Sequence, residues 1–256
     1  MEGTVEPGAV RRLAWAVAAL VAVVVLVASL VIVVGVPRWV PGVGDCTVSA
    51  GDDRVELSTE QAEQAAVVAA VSVREKRSLA ATTASMDLLL DSSAGDARIV
   101  ASALMGRSPH ALSCQHGGAA EEERDRLDRV GLTGRAATVR SDVNRAFGAQ
   151  KLGGFAPGGV TSGHMPGSAH YEGRAVDVFF RPMTGKQRAR GWAMAQYLVA
   201  HADRLAVSTV IFDGRIWTAR RGIQGWRSYA PDTSGRSAKV AAILEHRDHV
   251  HVDVAD

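Results

Sequence analysis

The sequence predicts an α+β fold: a small antiparallel sheet flanked by helices, preceded by one transmembrane helix and a short helical segment. Three observations lead there. Residues 13–36 are an unbroken apolar run. Apolar residues at helical spacing dominate from about 58 to 105, and from about 130 onward helix patterns sit beside short β-branched runs. Helices set beside antiparallel strands make an α+β domain over 130–256.

The elements follow in order. "LAWAVAALVAVVVLVASLVIVVGV", residues 13–36, holds no charge. As a helix it is roughly 36 Å long, enough to cross a bilayer with some tilt. A cleavable signal would have an apolar core of only about 7 to 15 residues. Arg11 and Arg12 precede the run and only Arg38 closely follows it. That bias predicts a cytoplasmic tail, residues 1–12, and an extracytoplasmic C-terminal domain, hence a single-pass protein of the cell membrane. Residues 37–129 read as a linker and helical segment, opening on the Pro/Gly-rich "VPRWVPGVGD" (36–45).

Cys46 and Cys114, the only cysteines, fall in the part expected to be exported and predict a disulfide. Two thiols are too few for a structural zinc-thiolate site. Between them, Ser58 or Thr59 caps a helix over 58–78, and further helices cover about 81–91 and 96–105. The charged stretch 116–131 reads as a partly helical, solvated connector.

"TGRAATVRSDVNRAFG" (133–148) is an amphipathic helix closed by Gly148, followed by a Gly-rich loop over 153–168 and the strand "RAVDVFF". Thr184 caps a long helix to about 203. "VSTVIFD" with "GRIW" reads as strand, turn, strand, and "DHVHVDV" closes the chain as another strand. Formal net charge is only +2, with acids and bases scattered. No basic stripe is visible, which argues against a nucleic-acid partner.

The chemistry concentrates in "TSGHMPGSAHYEGRAVDVFF", residues 161–180, and at the C-terminal end. Asp177 sits among Val176, Val178, Phe179 and Phe180, where a bare carboxylate is costly, so it must be paired or coordinate something. His170 lies seven residues earlier, an odd spacing that opposes the two in a continuous strand, and Gly173 offers the break that turns His170 back. His249 and His251, two apart, share a strand face, with Asp248 just before them. Two imidazoles and one carboxylate with an open position form a catalytic zinc ligand set.

"SAHYEGRAVD", residues 168–177, fits S-x-H-x-x-G-x-A-x-D, and "HRDHVHVDV" supplies a closing H-x-H. On these residues the segment from about 130 resembles the peptidoglycan zinc peptidases related to D-Ala-D-Ala carboxypeptidases, lysostaphin-type enzymes and the hedgehog fold. It also looks like the metallopeptidase-like C-terminal domain of actinobacterial membrane or secreted proteins. The resemblance implies Zn²⁺ held by His170, Asp177 and His251, with water as the fourth ligand. It implies a general base at either His249 or Asp248, since different branches use one or the other position.

Carboxypeptidase relatives carry an Arg upstream of the motif to grip substrate; this sequence has "TSGH" there, so His164, together with Ser168 of the motif, is expected to contact substrate. The implied function is a membrane-anchored zinc peptidase acting on peptidoglycan stem peptides, as a carboxypeptidase or an endopeptidase. The alternative is a non-catalytic, metal-containing cell-wall binding module, as in the hedgehog branch. Trp217 and Trp226 are expected to serve core packing rather than a cleft.

Overall fold

The computed structural model describes residues 45–119, 121 and 126–256. They belong to one compact unit, Gly44–Asp256. The architecture is α+β with two antiparallel sheets.

The transmembrane helix expected over 13–36 and the tail 1–12 lie outside the described residues. Among the described residues no helix is long and apolar enough to cross a membrane. The longest helices, Thr59–Arg74 and Gly185–Ala200, have 16 residues each and carry charges. At 1.5 Å per residue they fall short of a hydrocarbon core about 30 Å thick. The single-pass topology, with its cell-membrane localisation and extracytoplasmic domain, is therefore withdrawn.

The segment read as helical begins and ends in strands. β1 (Cys46–Ala50) pairs with β2 (Asp53–Leu57) on one side and with β3 (Ala111–Cys114) on the other. Cys46 lies directly opposite Cys114, and the two form the expected disulfide. Three helices intervene: α1 (Thr59–Arg74), α2 (Leu79–Leu90) and α3 (Ala94–Leu104). Each has a serine N-cap. At α1 the cap is a full capping box: Ser58 Oγ accepts from Gln61 N–H, and the Gln61 side chain accepts from Ser58 N–H. No helix forms among the described residues of the connector 116–131.

The second sheet has six strands in the order β4-β5-β9-β6-β7-β8. These are β4 (Leu152–Gly153), β5 (Ala175–Phe179), β6 (Val207–Phe212), β7 (Arg215–Thr218), β8 (Arg227–Ser228) and β9 (His249–Val254). α4 (Gly134–Phe147), α5 (Gly185–Ala200) and α6 (Ala238–Leu244) complete the domain. Thr184 caps α5 and Gly148 ends α4 as expected, and Thr133 caps α4.

Strand parity sorts the large sheet into two chemistries. Val176, Val178, Val250, Val252 and Val254 are buried on the face that meets α4 and α5. Asp177, His249, His251 and Asp253 alternate with them, on the other face. α5 carries the joint between the sheets. Its buried Gln196 accepts from Leu112 N–H (2.8 Å) and donates to Ala103 O (2.6 Å). Trp217 and Trp226 donate to Ser113 Oγ and Leu112 O, so both tryptophans are core residues, as expected.

Two predictions follow from this packing. Reduction of the disulfide removes a cross-link of sequence separation 68. Loop-closure entropy then predicts a loss of about 4 kcal/mol, read as a lower urea midpoint in the presence of reductant. The second concerns His201, the buried cap of α5. Burial, then the charges of Arg204 and Arg145, push its pKa down to about 3, while Glu63 at 3.7 Å is too far to hydrogen bond. The unfolded chain therefore binds a proton that the native state refuses as pH falls below about 6.5. Stability should fall from pH 6.5 toward 3, and urea titrations of His201→Gln should show a shallower slope in that window.

Candidate metal centre

The centre is assembled by register and one sharp turn. Asp177 on β5 lies directly opposite His251 on the neighbouring β9, and Phe179 lies opposite His249. Directly opposed side chains on adjacent strands come within contact distance. His170 arrives from the 3-10 turn Ala169–Glu172, which ends at Gly173 in the left-handed region, φ 69°. A Cβ there would stand 2.4 Å from Leu127 Cδ2 and 2.8 Å from Gly131 O, so only glycine makes the turn. That is the break that the odd spacing demanded.

Three atoms converge. His251 Nδ1 lies 3.1 Å from Asp177 Oδ1, His170 Nε2 lies 3.1 Å from His251 Nδ1, and His170 Nε2 lies 3.3 Å from Asp177 Oδ1. All three residues are buried. A tetrahedral zinc with bonds of about 2.0–2.1 Å has ligand-to-ligand edges of about 3.3 Å, so the triangle fits that ion.

The remaining ring nitrogens are occupied. His170 Nδ1–H donates to Gly154 O at 2.7 Å, which aims Nε2 at the triangle. Gly154 has φ +80°, and a Cβ would sit 2.2 Å from the His170 ring, so this close carbonyl also requires glycine. His251 Nε2 lies 2.7 Å from Asp253 Oδ1. This is an ion pair rather than an in-line hydrogen bond, because that oxygen has no hydrogen-bond partner among the described residues.

Burial alone would raise Asp177, but hydrogen bonds from His170 and His251 and the fields of His251 and His249 hold its carboxyl far below the usual range. For His251, burial works downward. Asp253 and the bonds to Asp177 override it and push the imidazole up to about 10. Positive charge on His251 is thus favoured by the two carboxylates that flank it.

His249 stands beside the triangle, with Nε2 3.7 Å from Asp177 Oδ1. Its Nδ1 is 2.7 Å from Asp248 Oδ1, and Asp248 is gripped in turn by Arg181. Burial works against ionised Asp248, yet its bonds to His249 and Arg181 hold its pKa below the ordinary value. The two candidate bases are thus not equivalent: His249 faces the centre, and Asp248 touches only the far nitrogen of His249.

His164 stacks on His170, ring centroids 3.9 Å apart, and is clamped from behind by Tyr171, whose hydroxyl accepts from His164 N–H and donates to His164 O. Burial, then His170, lower its pKa. Ser168 spends its hydroxyl accepting from His170 N–H as the cap of the 3-10 turn. Asp253, Tyr171, Arg181 and His246 were not found by sequence reasoning. Asp253 was detectable, because it shares the parity of His249 and His251. His246, packed 4.6 Å from His249, sits in a left-handed turn after α6 and follows no periodicity.

Residues 129–240 match the family model described as VldE, C-terminal domain. The match covers under half of the chain. It includes His164, Ser168, His170 and Asp177 and stops before Asp248, His249 and His251. No curated protein matches the chain, and neither does any solved structure.

The outer groups that orient ligands carry a measurable share of metal affinity. Asp253→Asn keeps the shape but removes the charge behind His251; if the triangle holds a divalent metal, its affinity should fall about 10- to 100-fold in a chelator competition.

Proposed function

We propose that this domain is a zinc-dependent peptidase that hydrolyses an amide in peptidoglycan stem peptides. The observation that carries the reading is the convergence of His170 Nε2, Asp177 Oδ1 and His251 Nδ1 at tetrahedral-edge spacing, with His249 alongside. Zinc held there would lower the pKa of a water ligand and polarise the substrate carbonyl. The choice of peptidoglycan stem peptides as partners rests on the motif "SAHYEGRAVD" and the closing H-x-H alone.

The chain's own residues divide the remaining work. Asp248 keeps the Nδ1 proton of His249 in place, so Nε2 is the free base that faces the reacting water. His249 accepts the water proton and returns it to the leaving amine. Asp248 is a positioning residue, held by Arg181. His164, braced by Tyr171, covers His170 and is placed to meet substrate at the rim.

A second reading has one observation behind it. His170, Asp177, His249 and His251 are each no more than 6% exposed, which suits a non-catalytic metal module as well as a closed active site. Digestion of muropeptides by the zinc-loaded protein, followed by mass spectrometry, separates the two. Cleavage supports the peptidase; metal binding with no product under varied pH supports the module.

The protein should bind about one zinc per chain, and His170→Ala or His251→Ala should abolish it. His249→Ala should keep the metal and lose about 10²- to 10⁴-fold in rate, the usual contribution of a positioned base. Asp248→Asn should lose less, with a shifted pH profile. An Asp248→Asn loss equal to that of His249→Ala, with an unshifted profile, would overturn the division of roles.

A further inference from the structure

A pocket of about 230 Å³ lies between the C-terminal ends of α1 and α3 and the first turns of α5. Four cationic side chains line it: Lys76, Arg107, Lys186 and Arg190. No acidic residue does. None of the four makes an ion pair among the described residues. Glu75, the acid adjacent in sequence to Lys76, is already engaged by Arg74 and Arg77.

Helix electrostatics explains half of this arrangement. Lys76 and Arg107 follow helix C-termini, where cations are favoured. Lys186 and Arg190 lie at the start of α5, where a positive charge opposes the helix dipole, and that turn holds no acid to offset them. Ser72, also lining the pocket, is 1% exposed, and its Oγ has no hydrogen-bond partner among the described residues.

We propose that this pocket binds a phosphate-type oxyanion. Four cations match a multiply charged anion better than a single carboxylate. Guanidinium groups such as those of Arg107 and Arg190 hold such oxygens with two parallel bonds. The volume admits a phosphate group with part of what it is attached to. The site is built on different elements from the histidine centre and does not depend on the peptidase reading.

The test is calorimetric titration of the full chain, after chelation of any zinc, at constant ionic strength. One arm uses inorganic phosphate and the other glycerol 3-phosphate, which distinguishes a free ion from a phosphate ester. The expected result is saturable binding of one anion per chain in at least one arm. Arg190→Gln should weaken it by about tenfold or more through loss of charge-assisted bonds. Arg221→Gln, in a separate cavity, should leave it intact. Absence of saturable binding in both arms, or binding that survives the double change Lys186→Gln, Arg190→Gln, would overturn the proposal.

Discussion

The structure is organised by one electrostatic demand: a carboxylate, Asp177, is buried in a strand whose other residues are all apolar. Such a group is stable only if cations or donors surround it. Register supplies the first, His251, directly across the strand pair. The turn at Gly173 supplies the second, His170. Each histidine is then held by its own anchor, Gly154 O or Asp253, so the demand propagates outward through two shells. Gly154 sits where the His170 ring leaves no room for a Cβ, and Gly173 turns where Leu127 and Gly131 leave none.

The opposite face makes this arrangement affordable. Val176, Val178, Val250, Val252 and Val254 bury their side chains against α4 and α5, and α5 is locked to β3 through Gln196. A strand fixed on its apolar side cannot slip by one residue without moving every histidine to the wrong face. The polar centre thereby inherits its precision from the core beneath it. The disulfide closes the small sheet on itself, and the tryptophan bonds to β3 tie that sheet into the same framework, so residues that carry no chemistry still limit where the histidines can lie.

Much of the domain from 130 onward was legible in the sequence because its signals are local. Thr184 and Gly148 mark helix ends, and "HVHVDV" alternates with period two. The members of the histidine centre were legible from chemistry: an isolated Asp in an apolar strand, a His framed by glycine, and H-x-H. The small sheet was not. β1 and β2 are five residues each and β3 only four, and their pairing joins positions far apart in sequence, where no periodicity reaches. The apolar run 13–36 was read as a span on length and hydropathy alone, and the helices of the described residues give that topology no support. Which nitrogen of His249 faces Asp177, and that Arg181 holds Asp248, also lay beyond sequence.

The central claim is that His170, Asp177 and His251 form a ready-made zinc ligand set. X-ray absorption at the zinc edge of the loaded protein tests it most directly. The geometry predicts two imidazole nitrogens and light oxygen ligands at about 2.0–2.1 Å in a four-coordinate shell, lost in Asp177→Ala. A six-coordinate, all-oxygen shell, or a spectrum unchanged by that substitution, would contradict it.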